Sequence, residues 1–241
     1  MALPAPGTRR RSVRQKAEPP CDRPSPNHGE RREGAQPDLI VLHYTAMESA
    51  EEAISRLCDP EVEVSAHYLI DRIGAVVHMV PEALRAWHAG AGAWGDVRDV
   101  NSRSIGIELC NRGCLPFPEA QMRALEELLA DIMARWQIPP HRVIGHSDCA
   151  PGRKSDPGPR FDWTRLARQG LAAPTPAVVP AADQRDFTVL MHRAGYTGAD
   201  DPEVLLMALR LRHRPGHDGP LDGTDLALAR ALAIDAAPAS A

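Results

Sequence analysis

Two histidines and a glutamate stand at the ends of short apolar runs, where a folded chain often places reactive side chains. His43 ends the run DLIVLH, His146 ends the run VIGH, and Glu108 lies near the end of SIGIEL. Sites gather at strand ends in mixed α/β sheets, because a rigid scaffold holds the loops there. The three side chains are therefore candidates for one functional site.

The loop that follows His146 is rich in residue types that bind metals. It reads HSDCAPGRKSDPG over residues 146–158 and combines His, Asp and Cys with Pro and Gly, which restrict its backbone. A hydrolytic zinc ion needs three protein ligands and one open position for water. Two His and one carboxylate supply such a set, so the sequence is compatible with a hydrolytic metal site.

Each candidate ligand also has an ordinary structural explanation. A His at a strand end often only satisfies hydrogen bonds, Asp148 or Asp156 beside a Pro/Gly turn can serve turn formation, and Cys149 can simply be buried. His43 is far from His146 in the sequence, and no compact signature such as H-E-x-x-H is present. Spacing alone leaves both interpretations open.

Strands and helices alternate around these positions. The three apolar runs are interpreted as buried strands, and two strand-like runs around DRIG, Ser65–Ile70 and Ala75–Val80, predict a hairpin. Helices are expected at Glu48–Leu57 and Pro118–Trp136, the second because its apolar residues recur at spacings of three and four. The segment Ser147–Pro159 is interpreted as a loop.

Composition divides the chain into four parts. The first part is rich in Pro and Arg, which is typical of disorder, and an Ala/Pro stretch is typical of a semi-rigid linker. The parts are a disordered basic tail (1–25), a main domain (26–171), a linker (172–182) and a small helical domain (183–241). The last part has three predicted short helices, at residues 184–193, 202–212 and 225–232.

The overall composition excludes several classes of protein. The 241 residues are 43% hydrophobic and 25% charged with a formal net charge of −4, which is ordinary for a globular chain and argues against a general nucleic-acid binder. Apolar runs are too short for a transmembrane helix. We therefore expect neither a nucleic-acid partner nor a transmembrane segment.

The cysteines and the N-terminal residues bear on location. Five scattered Cys are a poor disulfide framework and suit a reducing compartment. No apolar segment of the kind found in a secretory signal follows the basic residues near Met1. We therefore expect a cytoplasmic protein, with the periplasm or cell envelope as the alternative.

Five segments together resemble the zinc-dependent N-acetylmuramoyl-L-alanine amidases of the AmpD/AmiD type, which have the peptidoglycan-recognition-protein fold. They occur in the family's order over roughly residues 26–171, and the linker with its helical tail resembles the AmiD layout. The segments are VLHYTA (41–46), SAHYLID (65–71), AWHAG (86–90), SIGIELCNRG (104–113) and GHSDCAPGRKSDPGP (145–159).

The resemblance implies a fold, a cofactor and a reaction. The fold is a central mixed β-sheet flanked by helices, with a small C-terminal helical domain that resembles peptidoglycan-binding modules. Zinc would be bound by His43, His146 and Asp156, Glu108 would be the catalytic base, and Lys154 would stabilise the oxyanion. The reaction would be hydrolysis of the amide between N-acetylmuramic acid and L-alanine in peptidoglycan or anhydro-muropeptides, during cell-wall turnover or recycling.

The resemblance also suggests substrate contacts and one alternative function. Candidate substrate-binding residues are His67, Tyr68, Trp87, His88, Asn111 and Arg112. Packing in a strand or core, or ordinary surface exposure, is the alternative for each of them. Family members without zinc ligands only bind peptidoglycan, so a non-catalytic binding module is the alternative function.

Overall fold

The protein is built around a five-stranded mixed sheet. The computed structural model describes residues 17–180 and 187–235. In chain order the strands are β1 (His28–Gly29), β2 (Leu39–Tyr44), β3 (Tyr68–Ile70), β4 (Val76–His78), β5 (Arg85–Ala86), β6 (Ser104–Leu109) and β7 (Val143–Gly145). The sheet order is β4-β3-β6-β2-β7, with only β3 and β4 antiparallel, while β1 and β5 form a separate antiparallel pair.

Helices pack against the sheet, and further helices come after it in the chain. They are α1 (Ala50–Leu57), α2 (Val100–Arg103), α3 (Glu119–Trp136), α4 (His146–Cys149), α5 (Trp163–Arg168), α6 (Phe187–Arg193), α7 (Pro202–His213) and α8 (Gly223–Asp235). Within the described ranges, no helix is long and apolar enough to cross a membrane. The expected fold class, a mixed sheet flanked by helices with a small helical domain after it, is confirmed.

Alternation along the strands explains how the sheet is buried on both faces. Ile40 and Leu42 of β2 pack with Ile105 and Ile107 of β6 and with the apolar stripe of α3. The intervening residues Leu39 and Val41 face a second cluster on the opposite side. Successive side chains of a strand point to opposite faces, so His43 of β2 lies on the face away from α3.

Two predicted segments differ from the structure near the site. The strand expected to end at His146 ends at Gly145, and His146 begins the one-turn helix α4 inside the segment expected to be a loop. The Asp148 carboxylate accepts a hydrogen bond from the Gly145 backbone at 2.8 Å. This side-chain contact supports the turn, and the sequence pattern did not reveal it.

The expected tail and linker are partly fixed in place. Residues 1–16 lie outside the described part, whereas Ser25, at the end of the expected tail, is buried and its backbone N–H donates to the Met79 carbonyl, so this residue packs against the main domain. In the linker, Ala172 is buried and the Thr175 hydroxyl lies 3.0 Å from Nδ1 of His213. The part of the predicted first C-terminal helix before Phe187 lies outside the described residues.

The last three helices have their own core, which also contacts the main domain. Met191 of α6, Leu205 of α7 and Leu226 of α8 are fully buried in one cluster. Trp94 of the main domain packs against this cluster and meets the Tyr196 ring edge-on, with 5.0 Å between ring centroids.

Candidate active site

The parallel register of three strands brings the chemically reactive residues to one edge of the sheet. His43 of β2 is directly opposite Glu108 of β6, and Leu42 is opposite Gly145, the last residue of β7. His146 follows Gly145 and therefore lies beside His43. The carboxyl ends of β2, β6 and β7 thus place both histidines and Glu108 together, although they are far apart in the chain.

His43, His146 and Asp156 form a compact cluster. Nδ1 of His43 lies 3.0 Å from Nδ1 of His146 and 2.9 Å from Oδ2 of Asp156, and the His146–Asp156 distance is 3.1 Å. All three residues are buried, and their ligand atoms lie within 4.8 Å of one another. Two imidazoles and one carboxylate are a donor set suited to a divalent metal such as zinc.

A chain of hydrogen bonds determines which nitrogen of His43 carries its proton. The Ser104 hydroxyl donates to the Val100 carbonyl at 2.5 Å, so it accepts from Nε2 of His88 at 3.2 Å. Nδ1 of His88 then accepts, at 3.0 Å, the proton on Nε2 of His43. Nδ1 of His43 is consequently left with a free lone pair that points into the cluster.

The same reasoning applies to His146. Its Nε2 lies 2.9 Å from the carbonyl oxygen of Ala89, an acceptor that requires the proton on that nitrogen. Nδ1 of His146 is therefore also an acceptor, and it faces Nδ1 of His43 and the Asp156 carboxylate. Three mutually repelling acceptors at hydrogen-bond distance need a shared cation, so the residues present fit a bound metal ion.

Burial and neighbouring charges shift the titration of this cluster. Burial, with the nearby His146, lowers the pKa of His43 to about 4 against the opposing effect of Asp156. Burial would raise the pKa of Asp156, but the adjoining His146 and His43 rings hold that pKa well below its ordinary range. Neutral imidazoles and an ionised carboxylate are the forms that bind a metal.

Glu108 differs from Asp156 in its surroundings. Burial and the negative charge of Asp156 raise the pKa of Glu108 to about 8, while Lys154 acts in the opposite direction. Its Oε2 atom is buried and has no hydrogen-bond partner among the described residues. A carboxyl group of this kind can hold and release a proton near neutral pH.

An open pocket of about 410 Å³ lies over the cluster. Its wall includes four of the residues that the sequence singled out besides the ligands, namely Glu108, Lys154, Trp87 and His88. Lys154 is exposed, whereas Trp87 and His88 are partly buried. His88 therefore both lines the pocket and hydrogen-bonds to His43.

Two predicted substrate-binding residues lie in the core instead of on the pocket wall. Nδ1 of His67 accepts from the Gly106 backbone at 2.9 Å, and the Tyr68 hydroxyl donates to Glu82 at 2.7 Å. Both rings are 0% exposed. The structure gives both residues the packing role that was their alternative interpretation.

Asn111 and Arg112 also have partners away from the pocket. The Asn111 side chain accepts from Gly113 at 2.8 Å and donates towards Leu115, which shapes the loop after β6. Arg112 is exposed and forms an ion pair with Glu48 at 3.1 Å. Neither arrangement directs the side chain to the metal cluster.

Arg153 was not singled out by the sequence, although it lies in the ligand-rich loop. Its guanidinium lines the pocket and donates to the Ala89 carbonyl at 2.5 Å, the same oxygen that binds His146. The family motif predicts a role for the adjacent Lys154, whereas an Arg in a polar loop has no sequence pattern that indicates a function. Arg153 thus joins the loop after β5 to the metal-site loop.

The fold and site define a class: an α/β domain with a candidate hydrolytic metal centre at the carboxyl edge of its sheet. The sequence model of the N-acetylmuramoyl-L-alanine amidase family (Amidase_2) matches residues 33–159. Since this match covers more than half of the chain, the chain belongs to the N-acetylmuramoyl-L-alanine amidase family.

Individual relatives support the same assignment. The chain is 36% identical to the amidase AmiD of Escherichia coli (strain K12) over 233 residues, covering 80% of this chain and 81% of AmiD. It is also 36% identical to the 1,6-anhydro-N-acetylmuramyl-L-alanine amidase AmpD of Enterobacter cloacae over 160 residues, covering 59% of this chain and 86% of AmpD.

Solved structures resemble the fold over most of its length. E. coli AmiD, in complex with anhydro-N-acetylmuramic acid-L-Ala-D-γ-Glu-L-Lys, has a TM-score of 0.74 and 33% identity, covering 92% of this chain and 93% of that one. AmpDh3 from Pseudomonas aeruginosa has a TM-score of 0.73 and 30% identity, covering 85% and 94%. The matched part of this chain therefore includes helices after the linker as well as the sheet domain.

Proposed function

We propose that this chain is a zinc-dependent amidase that hydrolyses the bond between the lactyl group of N-acetylmuramic acid and L-alanine. The observation that carries the proposal is the convergence of three acceptor atoms, from His43, His146 and Asp156, beneath an open pocket. The substrate class follows from the family and from the AmiD complex, whose bound molecule is an anhydromuramyl peptide. Peptidoglycan and its anhydro-muropeptide fragments both contain this bond.

The three ligands would hold the metal with one side facing the pocket. When bound, zinc supplies Lewis acidity, which polarises a carbonyl group and makes water more acidic. The hydrogen bonds of His43 to His88 and of His146 to Ala89 keep both rings oriented for binding. Such outer hydrogen bonds are a general requirement for high metal affinity.

Glu108 is the proposed proton carrier. During hydrolysis the C–N bond of the amide breaks, a C–O bond to water forms, and one proton moves from the water to the leaving amine of L-alanine. Oε2 of Glu108 has no other partner in the described structure and is placed to receive this proton, and because burial raises the pKa of this carboxyl, it holds the proton more readily than an exposed glutamate until the amine departs.

Lys154 is the proposed stabiliser of the negative charge that develops on the carbonyl oxygen. Its side chain lines the same pocket as Glu108, and its positive charge lowers the pKa values of both Glu108 and His43. A preorganised positive charge at the oxyanion is a large contribution in acyl transfer. Trp87, on the same wall, is proposed to contact the sugar or the stem peptide.

A product analysis in labelled water tests the proposal. We expect that the full-length protein with zinc converts N-acetylmuramyl-L-Ala-D-γ-Glu-L-Lys into free tripeptide and N-acetylmuramic acid, with one ¹⁸O from H₂¹⁸O in the lactyl carboxylate. Mass spectrometry resolves both products, and Glu108→Gln is the matched control. Binding of the substrate without any cleavage would instead support the non-catalytic binding module, which the presence of Glu108 and Lys154 disfavours.

The C-terminal helices and the compartment complete the proposal. Residues 187–235 are proposed to add affinity for peptidoglycan, as a peptidoglycan-binding-like domain would. The five free thiols, of which Cys110 and Cys149 are buried, suit a reducing interior, so we propose the cytoplasm as the site of action. Fractionation of the native host with a C-terminal tag tests this, and recovery in the periplasm or envelope would contradict it.

A further inference from the structure

Arg212 of the C-terminal helix α7 contacts the helix that carries a metal ligand. One guanidinium nitrogen donates to Oδ2 of Asp148 at 2.6 Å, and the other donates to the carbonyl of Val143 at 3.2 Å. The side chains of Arg212 and Asp148 are only 5% and 1% exposed. The guanidinium also lies over the ring of Trp163, 4.0 Å from its centroid.

The two partners of Arg212 lie on either side of His146 in the sequence. Val143 begins β7, and Asp148 lies in α4, which starts at His146. The same Oδ2 atom of Asp148 accepts from the backbone N–H of Gly145 at 2.8 Å. Arg212 therefore holds the backbone on both sides of the ligand, from a separate helical domain.

A single helical turn needs such external support. Four residues form too few internal hydrogen bonds to be stable alone, so tertiary contacts determine where α4 places its first side chain. Further contacts come from the same direction: a Cβ on Gly198 would lie 2.6 Å from the Cys149 carbonyl, and one on Gly152 would lie 2.8 Å from the Val204 side chain. The C-terminal domain thus packs closely against both α4 and the loop that leads to Asp156.

We propose that Arg212 is a positioning residue for the metal centre, so that the C-terminal helical domain completes the active site in addition to any role in wall binding. Arg212 acts through Asp148 and the β7–α4 backbone, which set the position of the His146 imidazole. This inference rests on the proposed metal site of His43, His146 and Asp156. Loss of outer partners of metal ligands typically lowers metal affinity about 10–100-fold.

The chain contains a matched control on the same helix. Arg210 is also buried and forms an ion pair with Asp225 at 2.5 Å, and it donates to the Gly219 carbonyl at 2.6 Å. All of these partners belong to the C-terminal domain. Arg210→Met therefore removes a buried Arg–Asp pair from α7 without touching the β7–α4 segment.

The experiment measures the zinc dissociation constant of full-length variants by competition with a chromogenic chelator, with the melting temperature as a second readout. We expect Arg212→Met to weaken zinc binding about 10–100-fold, and Arg210→Met to retain wild-type affinity even if it lowers the melting temperature equally. Arg212→Lys keeps the positive charge but cannot contact both Asp148 and Val143, so its zinc affinity should be intermediate. This variant also provides the test if Arg212→Met does not fold.

The outcomes separate this inference from the proposed function. Wild-type zinc affinity in Arg212→Lys and Arg212→Met, or equal losses in the Arg210 and Arg212 variants, would overturn the positioning role while leaving the metal site intact. A wild-type protein that binds no zinc would overturn the proposed metal site, and this inference with it. Activity is not needed for either conclusion.

Discussion

The imidazole of His88 accepts a hydrogen bond from Nε2 of His43 at 3.0 Å, on the side opposite to the candidate metal position. His88 in turn donates to the Ser104 hydroxyl, which is held by Val100. The orientation of one metal ligand thus depends on a residue of the β5–α2 connection and on the first residue of β6.

Replacing His88 should therefore weaken the metal site. We expect His88→Leu to reduce zinc affinity about 10–100-fold, because Nε2 of His43 loses its acceptor. His88→Asn, which retains an acceptor atom near the position of Nδ1, should recover part of the affinity. Chelator competition gives both constants, and wild-type affinity in His88→Leu would show that His43 needs no such partner.

Gly106 of β6 provides the space for the His88 ring. A Cβ at this position would overlap His88, so Gly106→Ala must displace the ring or the strand. We expect a loss of about 1–3 kcal/mol in unfolding free energy, together with weaker zinc binding, measured by urea unfolding and chelator competition. Gly29→Ala is the control, since nothing lies within 4 Å of its Cβ, and it should change neither quantity.

Glu108 and Lys154 should affect turnover without affecting metal content. We expect Glu108→Gln to bind zinc normally while kcat falls about 10²–10⁴-fold, the range typical of a general base. Elemental analysis and steady-state kinetics on an anhydromuramyl peptide check both points. A rate near that of the wild type, with zinc bound, would remove Glu108 from its proposed role.

For Lys154→Met we expect a fall in kcat of about 10²–10³-fold, as when one oxyanion donor is removed. Arg56 lines the same pocket from α1 and gives a control, Arg56→Met, for the general loss of positive charge. If both substitutions reduce kcat equally, Lys154 acts only through the overall potential of the pocket.

Two buried histidines should make the protein less stable in acid. Burial, aided by the charges of Arg31 and Arg212 respectively, lowers the pKa of His67 and of His213 to about 3. The unfolded chain, with His pKa values near about 6.5, binds these protons more readily than the folded chain. The contribution of the two histidines to the unfolding free energy is therefore fully present above the unfolded pKa. It is lost as the pH falls from about 6.5 towards 3.

Urea unfolding between pH 4 and 7 measures this effect. Each histidine should contribute a slope of up to about 1.4 kcal/mol per pH unit within this window. His213→Gln should reduce the slope by the contribution of one proton, whereas His28→Gln, at an exposed position, should leave it unchanged. An unchanged slope in His213→Gln would show that His213 binds its proton equally well in the folded and unfolded states.

The residues of the cluster could be proposed from the sequence, whereas the residues that hold them in place could not. The strands that end near His43, Glu108 and His146 could be recognised from short apolar runs, and parallel pairing then brings their ends together. The partners of these residues come from distant segments: His88 is 45 residues from His43, and Arg212 is 64 residues from Asp148. No local pattern predicts which side chains meet over such separations.

Helix periodicity was likewise informative for α3 and uninformative for α4. Eighteen residues with a repeating apolar stripe predict a helix from sequence alone. The four residues of α4 form a helix because Asp148 accepts from the Gly145 backbone and from Arg212, and the second of these contacts is tertiary. For the same reason His67 and Tyr68, within a motif of the family, belong to the core: their partners Gly106 and Glu82 lie on other segments.

Zinc removal and return is the most direct measurement of the central claim, that His43, His146 and Asp156 hold a metal needed for amide hydrolysis. Full-length protein is stripped with a chelator, its zinc content is verified by elemental analysis, and the release of peptide from an anhydromuramyl peptide is followed as zinc is added back. We expect activity to vanish with the metal and to return at about one equivalent, as a single three-ligand site requires, while Asp156→Ala stays inactive. Full hydrolysis by protein shown to contain no metal would contradict the account.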